Sequence, residues 1–116
     1  MTRLTLLGTG GGRFVTVTQE RATGGVYLED GVSLHIDPGP GSLRMMRRAR
    51  LDPMRTDGLL VSHCHPDHYT DAEVLVKAMT QGQHGKPGFL AASKSVLEGE
   101  GGIGPAISNY HKGSVE

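Results

Sequence analysis

Three histidines and an aspartate fall within one six-residue segment, at His63, His65, Asp67 and His68. His63 and His65 are two positions apart, and side chains at that spacing in an extended segment project to the same side. The two imidazoles could therefore grip one ion. Asp67 and His68 could hold a second ion, or the other side of the same one. These donors suit zinc, iron or manganese, and an open coordination position lets bound water ionise near neutral pH.

The neighbouring segments indicate how this cluster is positioned. Gly58–Ser62 is an apolar run bounded by turn signals, which predicts a buried strand directly before it. Pro66 ends the extended segment, and a helix is predicted over Asp71–Thr80. Two structural explanations compete with a metal site. The segment is either a solvated loop or a helix start capped by Asp67.

The remaining pattern predicts an α/β fold, a sheet with helices packed on one face, in one domain spanning 1–116. Asp30-Gly31 between two β-rich runs is a strong hairpin signal, and Ser42 is a candidate helix cap. Strands are predicted over Leu4–Leu7, Phe14–Thr18 and Phe89–Ala92, a hairpin over Val26–Glu29 and Val32–Ile36, and helices over Ser42–Arg50 and Ser93–Glu98.

Composition narrows the class of protein. The 116 residues carry 12 basic and 12 acidic side chains, so there is no global basic field for nucleic acid. A local run of arginines (Arg44, Arg47, Arg48 and Arg50) is either a phosphate-binding face or a solvated helix face. The single cysteine excludes an internal disulfide. With no signal-peptide pattern and no apolar span, a cytoplasmic protein is predicted, with no membrane partner.

The segment His63-x-His65-x-Asp67-His68 resembles the signature of the metallo-β-lactamase-fold superfamily. Three further segments are similar to landmarks of that superfamily and occur in the expected order. Leu7-Gly8-Thr9-Gly10 resembles its first strand and loop, and Ile36-Asp37-Pro38-Gly39 resembles its strand that ends in aspartate. Val61-Ser62 resembles its Thr/Ser-His approach to the histidine segment. The similarity runs from about Leu4 to Thr80.

This resemblance implies the N-terminal half of an αββα sandwich and two divalent metal ions, with zinc favoured over manganese or iron. It implies hydrolysis by a metal-bridging hydroxide. His63 and His65 would bind the first metal, and Asp67 and His68 the second. Asp67 would also be catalytic, orienting the hydroxide and shuttling its proton. Asp37 would support the site by holding the ligands, although a simple turn aspartate before proline explains it equally well.

The chain departs from the superfamily pattern after Thr80. A further histidine, a bridging aspartate and a last histidine are missing. No aspartate follows Asp71, His84 lies near the helix, and His111 is not expected to be a ligand. We therefore expect the N-terminal half of a longer protein or a truncated product, with one apolar sheet face uncovered. A homodimer, or completion by the missing C-terminal half, would cover it.

The resemblance is nearest to the tRNA 3′-processing nuclease and phosphodiesterase branches. The predicted substrate is a phosphodiester, either RNA or a cyclic or nucleotide phosphodiester. Pro40-Gly41-Ser42-Leu43 stands where those tRNA nucleases carry an acidic residue and glutamine, which weakens a tRNA assignment. Two alternatives stay open: a hydrolase of small esters or thioesters, and a catalytically incomplete metal-binding fragment. Cys64 is interpreted as a small packing residue.

Overall fold

One five-stranded mixed sheet forms the centre of the computed structural model, which describes residues 1–82, 88–102 and 104–116. The strands lie in chain order. The first two pairings are antiparallel and the last two are parallel. This confirms the predicted α/β class. The strands are β1 (Arg3–Leu6), β2 (Val26–Glu29), β3 (Ser33–Ile36), β4 (Gly58–Val61) and β5 (Phe89–Ala92).

Short helices connect the strands. The 11-residue α4 is the longest in the part of the chain that the structure describes. A 3-10 turn, Pro53–Arg55, precedes β4. No helix among the described residues is long and apolar enough to cross a membrane. The helices are α1 (Phe14–Thr18), α2 (Ser42–Arg48), α3 (Pro66–Tyr69), α4 (Ala72–Gly82), α5 (Lys94–Leu97) and α6 (Asn109–Lys112).

The predicted β2–β3 hairpin is confirmed. Asp30 donates its backbone N–H to the carbonyl of Val32 at 2.9 Å. Gly31 has a φ of +71°, which its missing Cβ permits without strain. The hairpin pairs Tyr27 with His35, so both side chains lie on the same face of the sheet.

The strand predicted over Phe14–Thr18 is wrong, because this segment is the one-turn helix α1. Thr18 donates its hydroxyl to the carbonyl of Phe14 at 2.9 Å, and the backbone N–H of Gln19 bonds to Val15. No residue of α1 is buried, and Phe14 and Val17 are about four-fifths exposed. Five alternating residues are too few to fix a period, and this segment pairs with none of the five strands.

The helices cover one face of the sheet. One cross-strand row on this face consists of Tyr27, His35 and Leu59, and all three are fully buried. Helix α2 contributes Met46 to this core. A larger cluster lies under α4 and α5, formed by Leu59, Val61, Ala72, Leu75, Val76, Met79, Val96 and Ile107. This confirms the prediction of helices on one face.

The opposite face of the sheet is apolar, and none of the described helices covers it. Leu4 and Leu6 of β1 are about 60% exposed, and Phe89 of β5 is 38% exposed. The rows between them are apolar and only partly buried, and they include Leu28, Leu34, Val26, Ile36 and Leu60. An uncovered apolar face was expected from the sequence and is present.

Candidate metal centre

The predicted site residues gather at one edge of the sheet. Strand β3 is parallel to β4, so Asp37, which follows β3, and His63, which follows β4, stand at the same edge. Strand β1 runs in the same direction, since both β1 and β3 are antiparallel to β2. The glycine loop from Gly8 to Gly12 therefore also begins at this edge.

Asp37 is the centre of the hydrogen-bond network there. Its Oδ1 accepts the backbone N–H of Ser62 at 2.7 Å, and its Oδ2 accepts the Ser62 hydroxyl at 2.7 Å. Oδ2 also lies 3.0 Å from Nδ1 of His68. The Asp37 backbone N–H donates to Leu60 at 2.8 Å, and its φ is +52°. A carboxylate with these partners ties the ends of β3 and β4 to the histidine segment.

These bonds determine which ring nitrogens carry protons in the neutral histidines. A carboxylate only accepts, so His68 donates from Nδ1 to Asp37. Because the Ser62 hydroxyl already donates to Asp37, its oxygen accepts from Nδ1 of His63 at 2.9 Å. Both histidines are thereby left with an unprotonated Nε2. An unprotonated nitrogen is what a metal ligand requires.

The same bonds set the acidity of Asp37. Burial raises the pKa of this carboxyl group, but the hydrogen bonds from Ser62 and His68 and the charge of His68 outweigh it. The pKa of Asp37 therefore lies below its ordinary value. Asp37 is ionised at neutral pH and holds its bonds to both partners.

The three imidazoles are in contact with one another. The ring centroids of His63 and His65 are 4.6 Å apart, and those of His63 and His68 are 4.1 Å apart. Nε2 of His68 lies 3.4 Å from a carboxylate oxygen of Asp67. Helix α3 begins at Pro66 with His65 as its extended N-cap, so Asp67 is not the cap. The structure therefore brings all four sequence-predicted ligands together.

The residues match a divalent ion in donor type but do not yet enclose one. Within residues 1–82, 88–102 and 104–116, no three His, Cys, Asp or Glu side chains are arranged to hold one ion. Asp67 and His68 instead face each other. Imidazole and carboxylate donors with unprotonated Nε2 atoms suit zinc. The residues therefore fit a metal ion in donor chemistry and proton placement.

Two hollows meet at Asp67. One, of about 250 Å³, is lined by Gly8, Thr9, Asp37, Asp67 and His68 among others. The second, of about 440 Å³, lies between α1 and the histidine segment, with Arg13, Thr16, Val17, His65 and Asp67 in its wall. Asp67 is shared by both, so a substrate group on either side would border its carboxylate.

Other residues singled out from the sequence lie elsewhere. Cys64 packs against the core under α4, as expected. His111 bonds to Glu73 and Ser108, each at 2.9 Å, and to none of the predicted ligands. His84 lies outside the described residues.

The four arginines near α2 are exposed and do not form a single face. Arg44 and Arg48 border one hollow, and Arg47 and Arg50 border another. This division favours solvated side chains over one phosphate-binding surface.

Sequence reasoning missed two residues near the site. Ser62 was predicted as a strand end and as part of the approach to the histidine segment, but its hydrogen bonds, which join Asp37 to His63, were not predicted. Ser42 was predicted as a helix cap, but Gly41 is the N-cap and the Ser42 hydroxyl bonds to His35 and Gly39 instead. A serine immediately before a histidine motif is the signal that could have found Ser62, whereas nothing local pointed to His35.

The fold is that of metallo-β-lactamase proteins. The metallo-beta-lactamase fold protein YhfI from Bacillus subtilis superposes with a TM-score of 0.65 at 24% identity, covering 84% of this chain and 39% of that one. The short form of human tRNase Z superposes with a TM-score of 0.61 at 23% identity, covering 78% and 33%. These likenesses establish the fold over part of each neighbour.

Sequence comparison gives the family. Residues 33–103 match the model of the beta-lactamase superfamily domain, so the chain belongs to that superfamily. An uncharacterised protein of Methanocaldococcus jannaschii is 46% identical over 95% of this chain and 42% of its own length. Ribonuclease Z of Thermococcus kodakarensis is 34% identical over 84% of this chain and 31% of its own length. The chain thus spans less than half of these relatives.

Proposed function

We propose that this chain carries the metal-binding half of a metal-dependent hydrolase that acts on phosphodiester bonds. One observation carries the proposal: Asp37, directly and through Ser62, fixes the tautomers of neutral His68 and His63 so that Nε2 of each ring is unprotonated, and Nε2 of His68 lies 3.4 Å from the Asp67 carboxylate. A simple turn aspartate before proline has no need to contact His68 and to reach His63 through Ser62. The likeness to ribonuclease Z supports the phosphodiester class.

In this proposal His63 and His65 hold one ion, and Asp67 and His68 hold the second. Zinc is favoured by the imidazole donors, with manganese and iron as alternatives. When bound, the ions supply Lewis acidity, which polarises a phosphoryl group and acidifies water. Asp67 is placed to hold and pass on the proton of that water. Asp37 keeps the two ring nitrogens in their ligating form.

The two hollows that meet at Asp67 support a substrate with a group on each side of the reacting centre, as a phosphodiester has. RNA and nucleotide phosphodiesters both fit that description. The single cysteine supports a cytoplasmic location for this activity.

The uncovered sheet face and the incomplete ligand set support a larger active unit. The relatives that this chain matches are more than twice as long. We propose that the C-terminal half of such a protein, or a second copy of this chain, covers the face. The part that covers it would also supply the missing ligands.

A second candidate function is that of a metal-binding fragment without catalysis. It is favoured by the finding that no three donors among the described residues enclose an ion. This candidate differs from the first only in turnover, so one experiment separates them.

The test is to titrate the purified chain with zinc and manganese and to measure hydrolysis of bis(p-nitrophenyl) phosphate. His63→Ala should abolish zinc binding and lower hydrolysis by at least about a hundredfold, beyond the usual effect of an outer residue. His111→Ala, outside the site, is the matched control and should leave both unchanged. Zinc binding without turnover, in the chain alone and in a protein that also carries the covering half, would assign the fragment function, and no zinc binding would overturn both.

A further inference from the structure

His35 is a fully buried histidine that the proposed chemistry does not use. Its Nε2 lies 3.3 Å from the Ser42 hydroxyl, and its ring packs edge-on against Tyr27 at 5.7 Å. Its Nδ1 is buried without a hydrogen-bond partner among the described residues. Burial lowers the pKa of His35 to about 4, so the ring is neutral at pH 7. A buried polar group that makes a single bond calls for an explanation.

The bonds of Ser42 determine where the His35 proton lies. The Ser42 hydroxyl has one hydrogen and lies 3.2 Å from the carbonyl oxygen of Gly39, which can only accept. Ser42 therefore donates to Gly39 and accepts from Nε2–H of His35. This leaves Nδ1 as the unprotonated nitrogen, an acceptor that no donor among the described residues reaches. The result is a series of two hydrogen bonds, from His35 to Ser42 and from Ser42 to Gly39.

Gly39 in turn touches the backbone of Asp67. A Cβ built on Gly39 would lie 2.2 Å from the Asp67 carbonyl oxygen, and a Cβ built on Gly24 would lie 2.7 Å from the Gly39 backbone. Gly39 therefore packs closely against both segments, and a shift of its backbone toward Asp67 would press on the Asp67 carbonyl.

Asp71 joins the same two loops. Its backbone N–H donates to Pro38 at 2.9 Å, and its carboxylate accepts the backbone N–H of Leu43 at 3.1 Å. Asp71 thus holds both ends of the loop that carries Gly39 and Ser42 against the segment that carries Asp67. His35 is the buried anchor of that loop.

We propose that His35 is a positioning residue: through Ser42 and Gly39 it fixes the backbone of Asp67 and thereby the affinity of the site for metal. The metal-affinity part rests on the proposed function. Neither His35 nor Ser42 touches the ion or the substrate. Each acts through the placement of Asp67.

The test combines NMR of the chain with zinc affinity in four variants. His35→Phe replaces the imidazole with another aromatic ring but removes the hydrogen-bond donor. Ser42→Ala removes the hydroxyl that links His35 to Gly39. His35→Gln retains an amide donor and serves as the rescue. Tyr27→Phe is the matched control, because it removes a buried hydroxyl bonded to Thr56 in the same core. Chemical denaturation of each variant separates a local effect from unfolding.

We expect the His35 ring to be protonated at Nε2 alone. His35→Phe and Ser42→Ala should shift the amide resonances of Gly39, Asp67 and His68 and weaken zinc binding about tenfold, the low end of effects seen for outer residues. His35→Gln should restore most of the affinity, and Tyr27→Phe should not change it. A proton at Nδ1, or zinc affinities within about twofold of wild type in both variants, would overturn the proposal.

If the unaltered chain binds no zinc, the proposed function fails but the positioning role is still decided. Unchanged Asp67 and His68 resonances in His35→Phe would then reject it, and shifted ones in a folded sample would support it.

Discussion

The two faces of the sheet differ although the same five strands form both. On one face Tyr27, His35 and Leu59 are fully buried beneath α2 and α4. On the other, Leu4 and Leu6 are about 60% exposed and none of the described helices lies over them. The strands are apolar on both faces, but the described helices form a core against only one of them. A sheet that is apolar on both faces is the composition of a central layer.

The candidate metal centre stands at the edge of the sheet where the two faces meet, so residues on either face could affect it. The covered side anchors the site through His35, Ser42 and Gly39. In the proposed function, the part that covers the other face also supplies the further ligands. Experiments that treat the two faces separately can test this division.

The largest expected effect is on the covered face. Leu59→Ala should lower the free energy of unfolding by about 2–5 kcal/mol, because it opens a cavity under α4. Leu6→Ala is the matched change on the other face and should cost no more than about 0.5 kcal/mol. Urea unfolding of both variants measures this. Equal losses would show that the second face is covered in solution.

The next effect is the dependence of stability on pH. Burial lowers the pKa of folded His35 to about 4, below the ordinary 6.5. The unfolded chain therefore takes up the proton first as the pH falls. The stability contribution is fully present above pH 6.5 and is lost as the pH falls through about 4, by about 3 kcal/mol.

The substitution His35→Phe removes this pH-dependent contribution to the free energy of unfolding. The stability of the unaltered chain relative to this variant should decline between pH 6.5 and 5, because every other titrating group is common to the two proteins. Parallel curves for the two proteins would show that His35 titrates normally in the folded state.

Substitutions on the uncovered face should have the smallest effect on stability, but they should change self-association. Leu6→Glu places a charge there and should raise the dissociation constant for self-association at least about tenfold, or about 1.4 kcal/mol. Val74→Glu is the control, because Val74 is equally exposed, at 60%, but lies on α4. Sedimentation measures both. If the unaltered chain is monomeric at all concentrations, a second copy does not cover this face.

Much of the fold was predictable because its signals are local. Asp30-Gly31 defines the hairpin, and the apolar run Gly58–Val61 defines β4. The α1 segment failed because five alternating residues fit a strand as well as one helical turn. The candidate site could be located from the sequence because four donors lie within six residues, and their binding of metal stays a prediction.

The role of His35 was not predictable from alternation. In Ser33–Ile36 a simple alternating pattern would bury Leu34 and Ile36 and expose His35. The structure does the reverse, with His35 fully buried and Leu34 and Ile36 on the uncovered face. Hydrophobicity alone cannot say which face of a two-sided strand meets the helices. That choice depends on contacts with α2 and α4, which are distant in sequence.

The mixed pairing of the sheet also sets an order of assembly. The β2–β3 hairpin closes through a tight local turn, and hairpins of this kind form in about 1–10 μs. The parallel pairing of β3 with β4 must wait for the whole crossover through α2 to close a longer loop, which is slower. Asp37 begins that crossover, and His63 follows β4, the strand to which the crossover leads. The metal-binding edge is therefore expected among the last parts to form, and stopped-flow folding with zinc present would show the ion acting on the unfolding rate more than on the folding rate.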